Sequence, residues 1–250
     1  MGKRSQILLV AVLLLLGLAA FFTGWLPSSP VRHTDVVQAE DYASFWIWGG
    51  VKPQPVLAQA ESLYILQGEV AVERQRTKLT PQGMAVARLR KGEIWLVYRV
   101  NTLDWPPEIM PQIAARLNLW RLSGNPVIGL QIDFDAGTRQ LRKYAAFLRQ
   151  VRQELPAEYR FSITGLLDWT SNGDIGAINQ LKRIVDEVVI QTYQGKKTVP
   201  NYSSYLRQTG RLTLPFKIGL VQGGTWQPDK KLESTSWFRG YVVFLQNSRP

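Results

Sequence analysis

The sequence predicts an α/β protein: a small (β/α)8 barrel of the TIM type, lacking its last helix, behind an N-terminal transmembrane helix. Three observations predict it. Short apolar runs rich in β-branched and aromatic residues alternate with amphipathic stretches, the pattern of βα units and a parallel sheet. Eight such runs fit between Phe45 and Leu245, near the lower size limit of this barrel. An unbroken apolar segment precedes them all.

That segment comes first in the chain. Lys3 and Arg4 lead into a run from Ile7 to Phe22, continued through Thr23 and Gly24 to Trp25 and Leu26. This is about the twenty residues that cross a bilayer as a helix. A basic start keeps the N-terminus cytoplasmic, so residues 1–26 read as a single-pass inner-membrane anchor with the rest on the periplasmic or extracellular side. The rival is a cleaved signal peptide, suggested by Leu18-Ala19-Ala20, which would release a secreted protein. The run is longer than a usual signal core and no small-x-small site follows it, which favours the anchor. Pro27-Ser28-Ser29-Pro30 opens a polar linker over 27–42, and the barrel occupies 43–250.

The expected strands are Phe45–Gly49, Leu63–Gln67, Ile94–Val100, Val127–Asp135, Arg160–Leu166, Glu187–Thr192, Phe216–Val221 and Gly240–Leu245. Met84–Leu89 reads as an extra strand, joined to the third by a tight turn at Arg90-Lys91-Gly92. Helices fill the gaps. Pro107–Leu122 carries Ile109, Ile113, Leu117 and Trp120 at helical spacing. Thr138–Leu155 gathers Tyr144, Leu148 and Val151 on one face and stops before Pro156. Asp174–Val185 and Tyr202–Gln208 complete the set. The chain runs out soon after the last expected strand, so cover for that side of the barrel must come from the linker, a partner subunit or the membrane surface.

Composition narrows the chemistry. A 45% hydrophobic and 20% charged content is that of a globular protein, which excludes general disorder. The net charge of +11 favours an anionic neighbour such as lipid head groups, an acidic polysaccharide or nucleic acid. Export argues against nucleic acid, and solvated helix faces account for most of the basic residues. With no cysteine and one histidine, His33, a thiol nucleophile, a Ser-His-Asp triad and a multi-histidine metal site are all disfavoured. No Gly-rich phosphate loop with a neighbouring lysine is present, and no metal or cofactor is expected.

In such barrels the site lies at the C-terminal mouth of the strands. The first strand delivers Trp46, Trp48 and Gly49-Gly50 there, the second Gln67, and the third Asn101, Asp104 and Trp105. The fourth ends Val-Ile-Gly-Leu-Gln-Ile-Asp-Phe-Asp. Alternation puts Gln131, Asp133 and Asp135 on one face and Leu130, Ile132 and Phe134 on the other. Asp168 and Trp169 close the fifth, Gln191-Thr192-Tyr193-Gln194 the sixth, Gln222-Gly223-Gly224 the seventh, and Gln246 and Asn247 the eighth. Amides and carboxylates pair with hydroxyls, and indoles stack on pyranose faces, so this mixture suits a carbohydrate. Two acids at i and i+2, on the order of 6–7 Å apart at the backbone, are close enough to separate their pKa values.

The strand order, and a fourth strand ending in acids, resemble the chitinase-type glycoside hydrolases of family 18, whose motif there is Asp-x-x-Asp-x-Asp-x-Glu. The resemblance implies that Asp135 stands at the general acid, Asp133 at the acid that orients the substrate's acetamido group, and Gln131 at the middle Asp. Gln191-Thr192-Tyr193 is similar to the sixth-strand segment whose Tyr holds the reacting group, which implies a substrate-assisted, retaining route. The seventh-strand end, Gly219 to Gly224, looks like its Gly-rich counterpart. The departures are Ile128 at the first Asp, an amide at Gln131, an acid one methylene shorter than Glu, and no Trp on the eighth strand. As a whole the chain resembles a bacterial family catalogued as a domain of unknown function, which implies architecture alone.

Two functions follow. One is an exported, membrane-anchored hydrolase of an envelope or extracellular polysaccharide, N-acetylated if the resemblance extends to substrate. Its catalytic groups would be Asp135, Asp133 and Tyr193. Its substrate would be held by Gln131, Gln191, Trp48, Gln67, Asp168, Trp169, Gln222 and Gln246. The other is a carbohydrate-binding barrel that has lost catalysis, which the amide at Gln131 and the shortened acid would fit.

Overall fold

A computed structural model describes residues 35–89, 92–169 and 174–247. The apolar run of 1–26, His33, and Arg90 and Lys91 of the expected turn lie outside these residues. The strands in chain order are β1 (Ser44–Ile47), β2 (Ser62–Glu73), β3 (Arg76–Pro81), β4 (Glu93–Val100), β5 (Val127–Asp133), β6 (Arg160–Leu166), β7 (Glu187–Gln191), β8 (Tyr193–Gln194), β9 (Lys197–Thr198), β10 (Phe216–Val221) and β11 (Phe238–Phe244). Neighbours run β1-β11-β10-β7-β6-β5-β4-β2, and β1 pairs again with β2, which closes an eight-stranded parallel barrel. These are the eight expected strands, shifted by a few residues at some ends.

The extra strand is a correction. Met84–Leu89 belongs to no ladder. Side chains satisfy its backbone instead: Gln67 Nε2 donates to the Met84 carbonyl, Asn125 Nδ2 to the Ala87 carbonyl, and the Leu89 amide to Asn125 Oδ1. Met84, Val86 and Leu89 still pack on the core, which explains why the run reads as a strand. The antiparallel partner of the long β2 is β3. Their hairpin turns on Arg74 and Gln75, both with positive φ of 47° and 66°, the geometry that two-residue hairpin loops demand.

The helices are α1 (Ile109–Leu122), α2 (Leu141–Glu154), α3 (Ile175–Gln180), α4 (Tyr202–Leu206) and α5 (Lys230–Glu233). The buried stripe of α1 is the expected one, with Ile109, Ile113, Leu117 and Trp120 against the sheet. Asp174 caps α3 by accepting from the Gly176 and Ala177 amides, and so replaces lost backbone partners at the helix start. The main apolar layer lies between strands and helices. A second, aromatic layer fills the barrel interior with Trp46, Tyr64 and Trp95.

Residues 35–42, read from sequence as the end of the linker, pack onto the barrel. Val36 bridges Thr225 antiparallel, Val37 and Ala39 are buried, and Tyr42 meets Tyr241 edge-on at 5.6 Å. This segment therefore covers part of β10 and β11, where no long helix was expected. Among the described residues no helix is long and apolar enough to cross a membrane.

Candidate active site

Strand β5 sets the geometry. Leu130 and Ile132 point out to the helix layer, while Gly129, Gln131 and Asp133 face the interior. Gly129 is required there. A Cβ would stand 2.5 Å from the Trp95 ring and 2.4 Å from the Arg160 carbonyl, so only glycine lets the indole enter the barrel and stack on Tyr64 at 5.8 Å.

One pair of residues higher, Gln131 is fully buried. Trp46 Nε1 donates to its Oε1 at 2.7 Å, and its Nε2 donates to Ser162 Oγ at 2.8 Å. Ser162 donates on to Glu187, which also accepts from Tyr64 and lies 3.8 Å from Lys217 Nζ. Gln131 was expected to touch substrate; it is a core residue instead, because the barrel is deep enough to submerge it.

Asp133 marks the boundary between this core and the mouth. Its residue exposure is 8%, and its Oδ1 accepts from Thr164 Oγ1 at 2.9 Å and Gln191 Nε2 at 3.4 Å. Burial pushes its pKa up to about 6, since removal from water penalises the charged form. The Thr164 bond opposes this, the neighbouring Asp135 charge reinforces it, and Arg99 and Gln191 oppose it. Asp135 sits just past the strand end, with 62% of its side chain exposed and Arg99 Nη2 at 3.9 Å. The Arg99 guanidinium lies 5.2 Å above the Trp48 ring, a cation–π contact that holds it at the rim.

Above the two acids opens a cleft of about 700 Å³. One wall is aromatic: Tyr193 stacks on Phe244 at 5.5 Å, and Trp48 meets Phe244 edge-on at 5.7 Å. Burial raises the pKa of the Tyr193 hydroxyl, and the charges of Asp133 and Asp135 act in the same direction. Burial likewise raises Asp168, on the facing side.

Of the residues expected at the site, Asp133, Asp135, Tyr193, Gln191, Trp48, Asp168 and Gln246 line this cleft. Gly49, Gly50, Gln194 and Asn247 of the expected strand ends join them, whereas Gln67, Trp169, Gln222, Asn101, Asp104 and Trp105 lie elsewhere. Gln67 points outward, where its Oε1 accepts from Arg116 Nε and Trp120 Nε1 of α1. Trp169 is buried, donates to the Ala136 carbonyl and packs against Tyr144. Gln222 is held in a reciprocal amide pair with Gln54 and accepts from the Gln246 amide. Asn101, Asp104 and Trp105 turn away from the mouth. Asn101 donates to Glu69, Asp104 lies 3.6 Å from Lys143, and Trp105 meets Phe147 edge-on at 4.9 Å.

Sequence reasoning missed Arg99, Thr164 and Phe244. Alternation along β4 places Arg99 on the inward face of Trp95 and Val97, so its parity was available. Phe244 stands on the last strand, where the resemblance led one to look for Trp. Among the described residues no group of acids is placed to hold a metal ion.

Residues 95–209 match a domain of unknown function, DUF3142. Among solved structures, the spore cortex-lytic enzyme SleL of Bacillus cereus is 17% identical with a TM-score of 0.49, covering 71% of this chain and 49% of that one. The chain thus spans about half of that enzyme's length. The chitinase domain of the spore coat protein CotE from Clostridium difficile is 12% identical, TM-score 0.45, covering 76% and 67%. A xylanase and α-amylase inhibitor protein, XAIP-I, solved with trehalose, is 14% identical, TM-score 0.47, covering 81% and 92%. No curated protein matches the sequence.

Proposed function

We propose that this barrel is a glycoside hydrolase of an envelope or extracellular polysaccharide, with an N-acetylated sugar at the cleaved bond. Residues 1–26 hold it in the inner membrane, and the barrel is exposed on the far side. The observation that carries the reading is the pairing of two acids in unlike surroundings, Asp133 buried at the cleft floor and Asp135 exposed at its rim. Two carboxyls that share one strand face and one cleft can serve as a proton donor and a charge-stabilising partner.

Asp135 donates its proton to the glycosidic oxygen as the bond to the anomeric carbon breaks. The substrate's acetamido oxygen closes on that carbon, and the Asp133 carboxylate stabilises the positive charge that develops on the acetamido group. Tyr193 and Gln191 hold this group in place, while the Trp48–Phe244–Tyr193 wall packs against the sugar face.

The test is to incubate the chain with chitooligosaccharides, peptidoglycan fragments and de-N-acetylated glucans and to measure new reducing ends. Asp135→Asn should lower turnover roughly 10²–10⁴-fold, the usual worth of a general acid, with sugar affinity retained. Unchanged hydrolysis in that variant removes Asp135 from the mechanism.

One observation favours a non-catalytic binding barrel. Asp135 is short, exposed and beside Arg99, and Gln131 is committed to the core. Binding of these oligosaccharides by the wild type without any new reducing ends would establish that second reading.

A further inference from the structure

The third strand's expected contributions, Asp104 and Trp105, line a separate groove of about 760 Å³ between the β2–β3 hairpin, the loop after β4 and α2. Its size is within the roughly 300–1,000 Å³ of ligand pockets. Trp105 is half-buried and fixed on two sides: its Nε1 donates to the Thr102 carbonyl at 3.0 Å, and its ring meets Phe147 edge-on. Arg76 and Lys78 stand two apart on β3 and so share a face, both exposed. Thr77 Oγ1 donates to the Asp104 carbonyl at 2.9 Å, which ties the hairpin rim to the loop. Glu108 and Gln150 complete the polar lining.

We infer that this groove is a second carbohydrate-binding site, which docks a stretch of a polymeric glycan at a distance from the cleft. The chemistry is that of a hydroxyl-rich ligand. Donors without acceptor capacity (Arg76, Lys78), acceptors (Asp104, Glu108) and an amide offering both (Gln150) surround one indole. With Lys143 at 3.6 Å from Asp104, the cations Arg76, Lys78 and Lys143 exceed the carboxylates Asp104 and Glu108 by one charge, so a strongly acidic polymer is not required. Both walls come from segments that follow the C-terminal ends of barrel strands, the hairpin extending β2 and the loop leaving β4. The groove therefore lies toward the same strand ends as the cleft, where one long chain can engage both. It rests on the proposed function only in taking a glycan as ligand.

The experiment uses the full chain in detergent, with colloidal chitin and peptidoglycan sacculi as polymers and chitotetraose as a short ligand. Trp105→Ala and the double variant Arg76→Ala/Lys78→Ala should each bind the polymers about tenfold more weakly, with chitotetraose affinity unchanged. The double variant changes exposed residues only, and its melting temperature should match the wild type, which separates lost binding from lost folding. Polymer affinity equal to wild type in both variants overturns the inference, as does a wild type that binds neither polymer. Loss of polymer binding only in Trp48→Ala would sink the groove and leave the cleft standing. Loss in the groove variants, with no chitotetraose bound by any form, would sink the cleft and leave the groove.

Discussion

Asp133 is the residue on which burial and chemistry bear most directly. Its pKa rises from 3.8 to about 6 on folding, so the folded chain holds that proton more tightly than the unfolded one. The resulting stability is fully present below about pH 3.8 and is lost as pH rises through about 6. The shift of about two units corresponds to roughly 3 kcal/mol. Asp133→Asn should flatten this limb and melt at a higher temperature than wild type at pH 8, as read from melting curves between pH 4 and 8. Catalysis should run the other way. If the ionised Asp133 stabilises positive charge, kcat/KM falls as pH drops below about 6, and a pH–rate profile without that limb would remove the residue from this role. Gln131 shows how far residue-scale reading reaches. Its face was legible from alternation along β5, but its depth was not, because depth depends on Trp46 and Ser162 from other strands.

At the scale of elements, Gln67 and Asn125 explain both a gain and a loss relative to pattern reading. Gln67 binds α1 through Trp120 and Arg116 and holds Met84 in place of a ladder partner. Gln67→Leu should leave the buried Trp120 N–H unpaired and cost about 1–3 kcal/mol, measured by denaturant unfolding. A cost near zero would mean that water or another group takes over. The apolar residues of Met84–Leu89 do pack on the core, yet apolar content reports which side chains face the core and says nothing of where backbone N–H groups find acceptors. The helices were easier to read, since the 3.6-residue stripe of α1 and the Pro156 stop after α2 are local signals. Gly129→Ala tests the interior: a methyl group 2.5 Å from the Trp95 ring should destabilise by roughly 1–3 kcal/mol through overpacking and disturb Asp133 two pairs along, which chemical unfolding would detect.

For the whole molecule, closure is the decisive feature. Hydrogen bonds join the loop after β1 to the ends of β10 and β11: Gln54 to Gln222 and to the Gln246 carbonyl, the Lys52 amide to Asn247 Oδ1, and Asn247 Nδ2 to the Gly50 carbonyl. Gln222 therefore serves the seam of the barrel, although it stands at a strand end as a sugar ligand would. Residues 35–41 add the outer cover. Compared with a chain starting at Asp35, one starting at Ser44 should lose the burial of Val37, about 1.5–3 kcal/mol on its own, and more from Ala39 and Tyr42. Equal melting temperatures would show that this cover is dispensable. The net charge also divides: Lys3, Arg4, Arg32, Arg90, Lys91 and Arg249 lie outside the described residues, with no acid among the rest of those segments. More than half of the excess of +11 thus lies outside the described residues.

Hydrophobic periodicity by itself determined the barrel, its strand order along the chain and the parity that sends Asp133 and Asp135 to one face, because each depends on neighbours within a few residues. Only the tertiary structure decided which polar groups at the strand ends are free for a ligand. Arg99 and Thr164 meet the acids from the two strands beside β5 and Phe244 lines the same cleft, while Gln67, Gln131, Trp169 and Gln222 are consumed by partners as far as 168 positions away. Hydrogen-bond satisfaction in a closed barrel is settled between strands distant in sequence, and no local pattern encodes it.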